Sequence, residues 1–318
     1  IQAVFNAMWG ISALVAPFLG GLFLETAGWR WIFWVNVPIC LISFLFLMSY
    51  REIYQPKPSR VDYVGSGLFA AGIILVLLVT VEVPNRAVLG AIGLGILAVF
   101  ILYERRQASP IIPMTLLRNR EIRWITLNAF LSYTALFGVG SFVPMFLQYE
   151  GYSVFASGAV LLGMTAGWMI CSVPAGKWIL KYGYPRLLVT GSVLLVAGGL
   201  LLTLLREGTG ALFTAGVMFV LGLAFGLLST VGTICSQMLA GPHEKGVSTS
   251  LQLLSRNVGT AIGVTVMGAL FYEASEPYEG FARLFGYGAA VSVVTLLFSL
   301  PLLRKPAPGE AARAEAER

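Results

Sequence analysis

Residues Ala211–Cys235 read ALFTAGVMFVLGLAFGLLSTVGTIC, twenty-five residues without a charge or a proline. A hydrocarbon core of roughly 30 Å needs about 20 apolar residues of α-helix to cross it. Inside lipid the backbone must satisfy its own hydrogen bonds, which leaves only helices and closed barrels. Barrel strands alternate apolar and polar positions over about 10 residues, and this run does not alternate. It reads as a transmembrane helix.

Nine further runs share that character: Val4–Leu24, Ile32–Tyr50, Tyr63–Val81, Ala87–Tyr103, Trp124–Leu147, Phe155–Ala175, Leu187–Leu205, Val247–Tyr272 and Phe281–Leu303. The chain is therefore expected to be an all-α integral membrane protein with ten predicted transmembrane helices. Composition agrees: 57% of residues are hydrophobic and 11% charged, with a mean hydropathy of +0.82. A water-soluble domain carries roughly 25% charged residues, so too few remain here to cover a wet surface.

Lys and Arg set the orientation, because cytoplasmic loops are enriched in them. With the connections assigned alternately to the two sides, sixteen basic residues fall on one side and four (Arg30, Arg86, Arg206 and Arg283) on the other, with Arg256 inside a span. The rich side is cytoplasmic, and both ends of the chain lie there. The net charge of +6 is largely this bias and gives no pointer to nucleic acid. The loops suggest a division into 1–50, 51–103, a proline-broken basic linker 104–123, a six-span block 124–303 and a charged tail 304–318. Residue 1 is Ile and a span follows almost at once, so a fragment that has lost its start is expected.

Cys40, Cys171 and Cys235 lie within spans at no metal-ligand spacing, and His243 is the single histidine, in a loop. No metal site is expected. Nor do the spans hold the paired His and carboxylates of a membrane-embedded enzyme, or the repeated pore loop of a channel.

Several polar and aromatic residues sit inside the spans. Ser229, Thr233, Ser236 and Gln237 share one helical face, and Ser248, Gln252, Arg256 and Thr260 step by four. A mid-span arginine costs about 2.5–3.5 kcal/mol on insertion scales and must face protein or water. Arg256 either lines a pathway or snorkels to the interface. Phe130, Tyr133 and Phe137 form an aromatic stripe with Asn128 nearby, suited either to an apolar binding pocket or to plain packing. Asn128, Tyr133, Phe137, Ser229, Thr233, Gln237, Gln252 and Arg256 are the candidate pathway residues. Ser12, Ala16 and Gly20 put small residues on one face, a seam that lets helices approach closely; Pro17 would bend that helix. None of the fifteen carboxylates falls in the middle of a span.

The run APFLGGLFLETAGWRWIFWVNVPI (Ala16–Ile39) resembles the fifth and sixth helices of the major facilitator superfamily, and more narrowly the fourteen-helix drug:proton antiporters of the EmrB/QacA type. Pro17, Gly20, Gly21, Trp29, Arg30, Trp31, Asn36 and Pro38 match; Ser12 and Ala16 stand where the antiporter motif has glycines. FVPMFLQYEGYS (Phe142–Ser153) is similar to the seventh-helix ending. GKWILKYGYPR (Gly176–Arg186) resembles the family's cytoplasmic loop, with Gly176, Lys177, Gly183 and Arg186 as candidate conformational-loop residues and Leu180 where an acid is common. Residues Gly246–Val264, with Arg256, Gly259 and Gly263, resemble the eleventh helix.

The resemblance implies two helices of an N-terminal bundle, two central extra helices and a complete C-terminal six-helix bundle. It implies export of small amphipathic molecules by proton antiport from a bacterial cytoplasmic membrane, with no cofactor beyond the proton gradient. The coupling acid is then expected in helices absent from this sequence, or at a span end such as Glu82. The same fold carries metabolites, sugars or siderophores, so another substrate class stays open, as does a periplasmic adaptor.

Overall fold

The computed structural model describes residues 8, 11, 12, 15, 16, 19–24, 26–50, 62–80, 83–107, 111, 112, 114–241 and 244–304. All regular structure among them is helical. Helical residues between 8 and 26 come first. Then follow α1 (Trp31–Trp34), α2 (Asn36–Met48), α3 (Tyr63–Leu77), α4 (Arg86–Glu104), α5 (Met114–Arg118), α6 (Arg120–Tyr149) and α7 (Val154–Ala159). The chain continues with α8 (Leu161–Ser172), α9 (Ala175–Tyr182), α10 (Tyr184–Leu202), α11 (Ala211–Leu239), α12 (Lys245–Tyr272) and α13 (Pro277–Ser299). Among the described residues nine stretches are long and apolar enough to cross a membrane. Nine expected spans thus have a helical counterpart, and the first, Val4–Leu24, is described at eleven of its twenty-one residues, all of them helical.

Several boundaries differ from expectation by up to four residues, as at Leu239 and Pro277, and two of the differences have a clear physical reason. Helix α6 begins at Arg120, inside the stretch expected to be linker. The Asn119 side chain accepts from the Glu121 N–H at 2.9 Å and caps it. Charged residues suit a helix once it leaves the hydrocarbon, so hydropathy marks where lipid ends rather than where the helix ends. The span expected at Phe155–Ala175 is interrupted at Val160 and stops at Ser172, just before Pro174 opens the way to α9.

Helices α6, α8, α10, α11, α12 and α13 pack as one bundle, and glycine decides how tightly. A methyl group on Gly263 would lie 2.1 Å from the Thr134 carbonyl oxygen, and one on Gly259 2.3 Å from that of Phe130. The α12 backbone therefore rests directly on α6. The α8–α11 crossing is reciprocal: Gly163 and Gly167 face Ala215 and Phe219, while Gly222 and Gly226 face Met164 and Trp168. Small residues four apart on both partners give the close contact by which helices associate where no hydrophobic effect drives them together.

Helices α3 and α4 form a separate pair. Asp62 caps α3 by accepting from Gly65 N–H at 2.8 Å and also accepts from the Tyr103 hydroxyl at 3.2 Å. Phe69 and Phe100 meet at 5.3 Å. At the end of α4 the buried Glu104 carboxylate accepts the Ile112 N–H at 2.7 Å. This pair meets the bundle where Leu78–Thr80 touches α12 and where Arg86 pairs with Glu273 at 3.7 Å. The α1–α2 segment has no buried residue.

Candidate functional site

Arg256 is the natural starting point, as the basic residue within a span. It leaves α12 toward α11. Its Nη2 donates to the Ser229 carbonyl and to the Thr233 hydroxyl, each at 2.5 Å. Both acceptors are neutral. The guanidinium carbon stands 5.1 Å from the centre of the Tyr133 ring, within the range of a cation–π contact. Nε is buried and has no hydrogen-bond partner.

Around this cation the bundle places four rings from three helices. Tyr133 stacks on Phe137, one turn along α6, at 5.0 Å. Phe225 of α11 meets both edge-on, at 5.5 and 5.6 Å. Trp168 of α8 lies 5.8 Å from Phe225, and its indole N–H is also buried without an acceptor. Phe137, Trp168, Phe225, Thr233 and Arg256 are all half-buried. They form one continuous face, aromatic in body and basic at one side, to which α6, α8, α11 and α12 contribute and α10 and α13 do not.

The other expected pathway residues sit elsewhere. Asn128 is buried, donating to Ser299 Oγ at 2.6 Å and Ser192 Oγ at 3.3 Å. Those two hydroxyls also bond each other at 2.7 Å. Asn128 thus ties α6 to α10 and α13 on the far side of α6 from Tyr133. Gln252 is fully buried, with Nε2 donating to Thr126 Oγ1 at 2.9 Å and Oε1 unpartnered; it locks α12 to α6. Gln237 donates to Thr249 at 2.8 Å near the C-terminal end of α11. Ser229, Thr233, Tyr133, Phe137 and Arg256 come together as one group, and Asn128, Gln252 and Gln237 are clamps between helices. The sequence reading missed Phe225 and Trp168.

Among the expected conformational-loop residues Gly183 has φ +78°, in the left-handed region that favours glycine, and it makes the turn from α9 to α10. Next to it the Tyr184 hydroxyl donates to Glu121 of α6. Gly176 has open space around it, and Lys177 and Arg186 are exposed. In the expected antiporter-motif helix Ser12 and Ala16 are exposed and Gly20 has no neighbour at its would-be methyl, while Gly21 faces the Phe155 ring of α7. Pro17 lies outside the described residues. Among the described residues no group of three or more His, Cys, Asp or Glu side chains could hold a metal ion.

A bundle of membrane-length helices with a basic, aromatic face in its interior defines a multi-pass membrane protein of the carrier kind. The family model of the Major Facilitator Superfamily matches residues 1–264, and the chain belongs to that superfamily of transport proteins. It is 29% identical over 279 residues to the multidrug transporter protein MdtP of Bacillus subtilis, covering 85% of this chain and 52% of that protein. It is 27% identical over 282 residues to the multidrug efflux pump SdrM of Staphylococcus aureus, covering 85% and 62%. The chain thus spans about half to three-fifths of the length of these relatives. Among solved structures, the nucleoside transporter NupG superposes with a TM-score of 0.54 at 14% identity, covering 96% of this chain and 84% of that one. That likeness shows the fold.

Proposed function

We propose that the protein is a secondary transporter of the fourteen-helix drug:proton antiporter type, exporting amphipathic small molecules across a bacterial cytoplasmic membrane in exchange for protons. On this reading the bundle α6–α13 is one of two halves that rock about a site near the midplane, exposing it to each side in turn. The observation that carries the reading is the convergence of Tyr133, Phe137, Phe225, Trp168 and Arg256 on one face of four helices. An aromatic face takes flat apolar bodies of varied outline, and the printed names of MdtP and SdrM as multidrug proteins support that substrate range. The sixteen-to-four distribution of Lys and Arg supports cytoplasmic ends.

The test is uptake of a fluorescent amphipathic dye into everted membrane vesicles, with the protein expressed from its complete gene. Dye should accumulate on energisation and leave again when an uncoupler collapses the proton gradient. Arg256→Ala should abolish or reshape this transport at near-normal abundance. Arg256→Lys should restore it poorly, because the ammonium keeps the charge but not the planar five-donor fork. Full transport by both variants would remove Arg256 from the pathway, and accumulation indifferent to the uncoupler would remove proton exchange.

A further inference from the structure

The hydrogen bonds of Arg256 leave it with unused donors. Nη2 spends both hydrogens on Ser229 and Thr233. Nη1 bonds to nothing among the described residues and is not enclosed, and Nε is enclosed without an acceptor. Each polar neighbour of the cation is a neutral oxygen. The Trp168 indole N–H, at the other end of the ring cluster, is a second buried donor with no acceptor. The face therefore offers the Nη1 N–H groups of Arg256, stacked rings beside them and one positive charge. Nη1 is the donor a ligand can reach, and a charged donor makes its strongest bonds to an ionised acceptor, so a ligand gains most here by bringing one. A cationic ligand would add a second positive charge beside Arg256, and like charges repel.

We propose that this face selects amphipathic substrates that carry an anionic group, a carboxylate or sulfonate, on a flat apolar body. The anion seats against the Arg256 guanidinium by charge-assisted hydrogen bonds from its Nη1 N–H groups. The body lies among Tyr133, Phe137 and Phe225. The proposal rests on the reading of this face as the transport pathway and adds the charge of what passes.

Three probes with one body separate the two claims: tritiated 2-naphthoate, 2-naphthamide and 2-naphthyl-trimethylammonium. Equilibrium binding is measured on the purified protein in phosphatidylcholine nanodiscs. The anion should bind at least tenfold more tightly than the amide, and the cation most weakly. Arg256→Gln should abolish the preference for naphthoate over the amide, and Arg256→Lys should keep part of it. Phe225→Ala should weaken all three. Equal or tighter binding of the amide or the cation overturns the anion proposal, as does a naphthoate preference that survives Arg256→Gln. If Phe225→Ala still weakens every probe in that case, the pathway reading stands alone. Failure of every probe to bind a folded protein overturns both. Should the Arg256 variants fail to fold, the ranking of the three probes on the unaltered protein decides.

Discussion

Replacing Gly263 with alanine adds one methyl group at the tightest point of the α6–α12 crossing. That carbon would lie 2.1 Å from the Thr134 carbonyl oxygen and 2.8 and 2.9 Å from that residue's carbonyl carbon and Cα. Ordinary contact begins near 3.4 Å, so the helices must part by more than 1 Å. The obstacle is backbone, which cannot swing aside as a side-chain end can. Overpacking of this kind costs about 1–3 kcal/mol. Parting the helices would also strain the Gln252–Thr126 bond and the Ser255 hydroxyl bond to the Thr126 carbonyl. Gly216 of α11 is the control, since a methyl there meets nothing within 4 Å. Gly216→Ala should be neutral or stabilise by about 0.5–1 kcal/mol through backbone entropy. The two variants should therefore differ by roughly 1–4 kcal/mol, the sum of those two effects. Tryptophan fluorescence during denaturation by SDS in mixed micelles measures this directly. Equal midpoints for the two variants would show that α12 does not lie on α6 as described.

Two further outcomes follow from other parts of the molecule. Asn128→Ala should lower stability by about 1–3 kcal/mol, because the Ser192 and Ser299 hydroxyls lose a buried partner, yet leave the ligand-binding constants of the folded protein unchanged; altered binding would return Asn128 to the pathway. Cysteines introduced at Ser59 and Ser109 should resist an impermeant thiol reagent on intact cells while one at Ser275 reacts, and the reverse pattern would invert the orientation.

The spans were legible because a lipid-length apolar run is a one-dimensional signal. The short run expected at Ala87–Tyr103 became Arg86–Glu104 almost residue for residue. Which way a residue faces is a different question. Asn128 and Tyr133 were grouped by closeness in sequence, but five residues at about 100° each leave them roughly 140° apart around the helix. Arg256 and Gln252 are four apart, yet Gln252 turns into the α6 contact while Arg256 reaches α11. Trp168 and Phe225 lie in runs of apolar residues, where hydropathy does not distinguish an inward ring from one facing lipid. The signal that could have found them is the pair of spacings Gly163-x-x-x-Gly167 and Gly222-x-x-x-Gly226. Those glycines decide which faces of α8 and α11 meet, and hence that the two rings stand side by side. The clamps made by Asn128 and Gln252 join residues 64 to 171 positions apart, and no local pattern announces such pairs.

If the Arg256 face is a pathway rather than a packing seam, water reaches it. A single cysteine at Thr233, in a background with Cys40, Cys171 and Cys235 replaced, tests it most directly. In native membranes that thiol should react with a small hydrophilic methanethiosulfonate, and an amphipathic substrate should slow the reaction. A cysteine at Val193, exposed on the outer side of α10, should stay inert in lipid. Reaction at position 233 no faster than at 193, unaffected by any substrate, would contradict the account.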